Sequence, residues 1–110
     1  MRLPGRERAY VPFAKLSGYL LSESHSVGRG KAKLFRGAGF NESNVSLLEQ
    51  RLLEIAHSAE VSETVSSSHG TKYVVEGMLE TPEGSFIRLL TVWIVDTGTD
   101  RPRFVTAYPA

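Results

Sequence analysis

A chain of 110 residues with 41% apolar and 23% charged side chains is long and apolar enough for one globular domain with its own core, so 1–110 reads as a single domain. The absence of cysteine excludes disulfides and thiolate-held metals, and no apolar run approaches the roughly 18–20 residues that span a bilayer. A net charge of +1 conceals a division: residues 1–40 carry eight basic side chains against two acidic, and residues 41–110 five against ten, joining a basic lobe able to attract a polyanion to an acidic one.

The basic arm MRLPGRERAY leads into no apolar signal core, so a cytoplasmic location and no membrane partner are expected. Pro12 suits the first position of a helix, and Phe13, Leu16 and Leu20 recur at helical spacing, which predicts a short amphipathic helix from Pro12 to about Leu21. After the turn-forming SESHSVGRG, a second helix from about Gly30 to Gly37 buries Leu34 and Phe35 and stops near Gly39. The clearest helical stripe is Val45, Leu48, Leu52, Ile55 and Ala59, with Asn41 or Ser43 as its N-cap, predicting a helix over about Asn44 to Ala59.

From Val61 the period changes to two. Val61 to Ser67 and Thr71 to Thr81 read as strands joined at SHG, with Tyr73, Val75, Gly77 and Leu79 on one face of the second and Lys72, Val74, Glu76, Met78 and Glu80 on the other. Thr81-Pro82-Glu83-Gly84 is a tight turn. Ser85 to Val95 is apolar on both faces, as a central strand covered on both sides would be, and Arg103 to Tyr108 is the last strand. The fold class that follows is α+β: about three N-terminal helices packed on a four-stranded antiparallel meander, with no repeat and no linker.

Metal chemistry finds no support in the spacing, because His25, His57 and His69 lie far apart; neither a metal nor a cofactor is expected. Gly30-Lys31 fails as a phosphate-binding P-loop, since His25 replaces the first glycine and Ala32 the magnesium-binding hydroxyl. There is no nucleophile elbow either. What remains is HSVGRGKAK, where His25 in a Gly-rich loop is suited to moving a proton, and Arg29, Lys31 and Lys33 are suited to holding a phosphate. The same residues are what an exposed loop histidine beside a solvated basic helix would look like.

The stretches SHSVGRGKAKLFRGAGF, HGTKYVVEG, RLLTVWIVDTG and RFVTAYP resemble, in order and over about Leu16 to Pro109, a bacterial domain family of unknown function with the pattern H-P-x-G-x-x-K-A, G-T-K-Y, T-V-W and V-T-A-Y-P. Ser26 departs from the proline of that pattern, which loosens the loop but removes no reactive group. Helices followed by a meander ending in Val105-Thr106-Ala107-Tyr108-Pro109 are also similar to the barnase–EndoU–colicin–RelE class of ribonucleases, many of them toxins. That second resemblance implies metal-independent RNA cleavage through 2′-OH attack. His25 would be general base or acid, Lys31 and Lys72 would stabilise charge, Thr106 would bond a phosphate oxygen and Tyr108 would position the scissile group or stack on a base. Arg29, Lys33 and Arg88 would bind substrate.

Three readings follow: a ribonuclease acting on RNA, a non-catalytic binding or regulatory module with an antitoxin, immunity or phage-associated protein partner, and an enzyme acting on a small anion. The first requires His25, Lys31, Lys72, Thr106 and Tyr108 to converge. The second requires them to scatter beside an exposed apolar strip. The commonplace roles of the remaining candidates are also clear: Trp93 as core, Arg88 paired with Glu76, His57 at a helix C-terminus and His69 idle in a turn.

Overall fold

In a computed structural model describing residues 1–110, three helices precede a sheet of four strands in the order β1-β2-β3-β4, all antiparallel. Helix α1 is a single turn, Phe13–Lys15, that runs on into a π-helical turn, Leu16–Leu20. Helices α2 and α3 span Arg29–Gly37 and Val45–Ser58, and strands β1 to β4 span Val61–Ser67, Gly70–Glu80, Phe86–Asp96 and Arg103–Pro109. The α+β meander and its element order are those the periodicities predict.

Local chemistry sets the helix ends. Helix α2 stops in a Schellman arrangement: Gly39 takes a φ of 107°, its N–H donates to Arg36 O at 3.0 Å and the Phe40 N–H donates to Phe35 O at 3.0 Å. Before α3, a 3₁₀ turn at Glu42–Asn44 is closed by Asn41 Oδ1 accepting from the Ser43 N–H and Asn44 Oδ1 accepting from the Asn41 N–H, both at 2.8 Å. Pro12 differs from expectation: it is extended, with φ −56° and ψ 138°, and stands before the helix rather than inside it. The wider π turn, closed by the Leu21 N–H on Leu16 O at 3.0 Å, changes the register of this segment. Leu16 and Leu20 are buried, while Phe13 is left 72% exposed instead of joining them.

One face of the sheet packs on the helices. Val75, Leu79, Leu89, Trp93, Phe104 and Ala107 form a single core with Leu16, Leu20, Phe35, Phe40, Leu48, Leu52 and Ile55. Burying each large aliphatic side chain contributes about 1.5–3 kcal/mol. Trp93 is fully buried and its indole N–H donates to Thr91 Oγ1 at 2.9 Å, which in turn donates to Val75 O at 2.8 Å, so the one polar string in the core is satisfied. Helix α3 crosses β2 at Gly77, where an added Cβ would stand 2.8 Å from Ile55 Cγ2; the missing side chain is what lets helix and strand approach.

The other face carries Lys72, Val74, Glu76 and Met78 from β2, Phe86, Arg88, Leu90, Val92 and Ile94 from β3, and Thr106 and Tyr108 from β4. The expectation that β3 is covered on both sides holds over part of its length: Thr91, Val92, Trp93 and Ile94 are buried in succession, on both faces of the strand, whereas Met78 and Phe86 further along the open face are more than half exposed. Thr106 and Tyr108 reach this open face through a β-bulge. Phe104 pairs with Trp93 and Thr106 with Val92, leaving Val105 as the extra residue, so that Phe104 points into the core while Thr106 points out. No helix is long and apolar enough to cross a membrane.

Candidate functional site

At the β4 edge, side chains from three elements meet. The π turn projects Tyr19, whose hydroxyl lies 2.9 Å from Thr106 Oγ1, with either oxygen able to donate. The Tyr19 ring also meets the His25 ring edge-on, with centroids 5.2 Å apart and planes at 84°. Lys15 Nζ lies 4.8 Å from the Tyr19 centroid, and Lys31 Nζ lies 5.6 Å from that of Tyr108, both within reach of a cation–π attraction. Tyr19 therefore joins the imidazole to the terminal strand, and Lys31 brings a cation to the next open-face residue along it.

The loop holds His25 in a defined orientation. The Val27 and Gly28 N–H groups both donate to its Nδ1 at 3.0 Å, and the Ser22 hydroxyl accepts from the His25 N–H at 3.1 Å. An Nδ1 that accepts two bonds leaves the ring proton on Nε2, so the exposed imidazole offers a donor rather than a lone pair. Gly28 makes this loop possible: it packs so closely that an added Cβ would stand 2.3 Å from the Tyr19 carbonyl oxygen. Arg36 fixes the chain just before the loop, donating from Nε to Leu21 O at 2.9 Å and pairing with Glu42, whose carboxyl this hydrogen bond holds below the usual carboxylate range.

Not every nominated residue reaches this place. Lys72 faces the open side of β2 opposite Ile94, with the whole of β3 between it and β4, so the expected convergence fails for Lys72; the meander order imposes the separation. Arg29 and Lys33 also fall elsewhere. At 100° per residue they lie with Arg36 on one flank of the buried Ala32–Phe35 stripe and Lys31 on the other, and they line a shallow groove with Glu23. Arg88 is on the open face with its Nε 3.4 Å from Glu76, the pairing its alternation suggests. His57 and His69 are exposed, and no group of three His, Asp or Glu side chains is placed to hold a metal ion.

Sequence reasoning passed over Tyr19 and Lys15. Their spacing of four places them on one helical face, and Tyr19 is the one aromatic residue of the LSGYLL run. Only the π turn, however, decides which way that ring points.

The comparisons with known proteins extend this picture. No curated protein matches the sequence. A chain of a solved structure described as "Contact-dependent growth inhibition toxin - immunity protein complex from Klebsiella pneumoniae 342" superposes with a TM-score of 0.74, covering 96% of this chain and 96% of that one, at 15% identity. At that identity the likeness is one of fold. The sequence itself matches a family model over residues 2–110, and the chain accordingly belongs to the family described as Domain of unknown function (DUF6883).

Proposed function

We propose that the chain is a metal-independent ribonuclease of the toxin type, working at the β4 edge. The observation that carries this reading is Tyr19, which links the His25 ring to the Thr106 hydroxyl while Lys31 stands over Tyr108. RNA cleavage without metal needs a charge-stabilised phosphate and proton transfer at two oxygens. The His25 Nε2–H and the Lys31 ammonium bind the non-bridging oxygens of one phosphodiester and stabilise the phosphorane. The 2′-oxygen attacks phosphorus, the 5′-oxygen leaves, and a 2′,3′-cyclic phosphate forms. The 2′-OH proton passes into the Tyr19–Thr106 hydroxyl pair, where either oxygen can give up its own proton in exchange and so return one to the leaving oxygen. His25 takes the donor role rather than the base role, because the single lone pair of Nδ1 is already shared by the Val27 and Gly28 N–H groups. Expression in bacteria of wild type and His25→Ala tests this: growth arrest and fragmented total RNA with the wild type alone support it, and intact RNA with both contradicts it.

A second reading has its own observation. Val65, Met78 and Phe86 are exposed large apolar side chains on the sheet's open face, as a protein-binding module would display them. The fold likeness to a chain of a toxin–immunity complex supports a protein partner under either reading. A non-catalytic module predicts retention of such a partner by a chain that leaves RNA intact.

A further inference from the structure

The open face continues beyond the β4 edge in a pattern of its own. Tyr108 lies opposite Leu90, and the Ala110 N–H donates to Arg88 O at 3.2 Å, so Arg88 stands diagonally beside Tyr108 on the same face. Phe86 follows two residues further along β3, a step of about 6.8 Å. Tyr108 is 37% and Phe86 59% exposed, and the Arg88 side chain is 66% exposed. The half-buried Leu90 forms an apolar floor beside Tyr108, at the end of the line nearest Thr106. An aromatic ring, a guanidinium and a second aromatic ring thus run in line away from Thr106.

We infer that this line is a subsite for single-stranded RNA, leading into the cleavage site proposed above and resting on that reading. Tyr108 and Phe86 stack on unpaired bases, and Arg88 takes the phosphate between them. Interleaved rings and cations on an open sheet suit a single strand, since a duplex hides its base faces and presents only its backbone. Of the carboxylates on this face, Glu76 is engaged by Arg88 and Glu80 by Arg51 at 3.8 Å, while Glu63 lies out on β1, two strands from the line. An exposed pair such as Glu76–Arg88 is worth little, so a phosphate replaces Glu76 readily.

The test is binding of a fluorescent, fully 2′-O-methylated RNA of about ten nucleotides, alone and annealed to its complement; methylation removes the attacking hydroxyl, so cleavage is not read. Wild type is expected to prefer the single strand. Phe86→Ala should weaken its binding at least about five-fold, Phe86→Trp should preserve it, and Glu76→Gln should strengthen it by freeing Arg88. Equal binding of duplex and single strand, or indifference to both Phe86→Ala and Glu76→Gln, overturns the subsite and returns Phe86 to the protein-binding strip. Because the strand cannot be cut, a chain without ribonuclease activity that still shows these contrasts would refute the catalytic reading alone.

Discussion

Tyr19 and Thr106 lie 87 residues apart in the chain, yet their side-chain oxygens share a 2.9 Å hydrogen bond. Two irregularities produce it: a π turn that rotates Tyr19 out of an ordinary helical register, and a bulge at Val105 that turns Thr106 away from the core. Tyr19→Phe keeps the ring against His25 but deletes this bond. Cleavage by that variant is expected to fall at least about ten-fold, while stability falls by only about 1 kcal/mol, read by a cleavage assay beside a denaturant melt. Equal activity of the two proteins would remove the hydroxyl pair from the mechanism.

Gly28→Ala places a methyl group against the Tyr19 carbonyl, where only 2.3 Å is available, so the loop must move. A loss of about 1–3 kcal/mol is expected, together with a shift of the His25 ring resonances. Gly30→Ala, two residues on and inside α2, meets nothing within 4 Å and should be neutral or stabilising by up to about 1 kcal/mol. Like effects from the two substitutions would contradict the close approach.

The fold was largely legible in the sequence because its signals are periodic. Leu48, Leu52 and Ile55 on α3 and Val75, Leu79 and Leu89 on the sheet are the core, as spacings of four, three and two residues require. The site was legible only in part, because it depends on departures from period. Alternation puts Thr106 and Tyr108 on one face, but it cannot say which face without the bulge at Val105. Helical spacing groups Phe13 with Leu16 and Leu20, and the π turn separates them. Lys72 enters the candidate set only through the ribonuclease resemblance, although the meander order itself already puts the whole of β3 between β2 and β4.

Gly77→Ala crowds Ile55 where α3 crosses β2 and is expected to cost about 1–3 kcal/mol. Adding Ile55→Ala removes Cγ2 and Cγ1, the two atoms that stand nearest the added methyl group. The double variant should therefore be more stable than the sum of the single changes predicts, and a thermodynamic cycle by urea denaturation checks the coupling. Strict additivity would show that the strand relaxes without involving the helix.

The Arg36–Glu42 pair gives a dependence on pH. Hydrogen bonding from Arg36 lowers the Glu42 pKa, so this carboxylate stays ionised to more acid pH in the folded chain than in the unfolded one. Its contribution is present above the ordinary carboxylate range and is lost as pH falls through the lowered value. Both partners are accessible to solvent, so the effect is small. Thermal melts should find Glu42→Gln less stable than wild type at neutral pH and indistinguishable from it in strong acid. A difference that persists unchanged into acid would show that the side chain acts through something other than its charge.

The most direct measurement is cleavage of a defined RNA by purified wild type, His25→Ala and Lys31→Ala in the presence of EDTA, with product ends identified by mass spectrometry. The expected result is fragments ending in 2′,3′-cyclic phosphate from the wild type, and rates lower by about a hundred-fold or more for His25→Ala, with a comparable loss for Lys31→Ala. RNA left whole by the wild type, or cleaved equally well by His25→Ala, would contradict a catalytic site at the β4 edge.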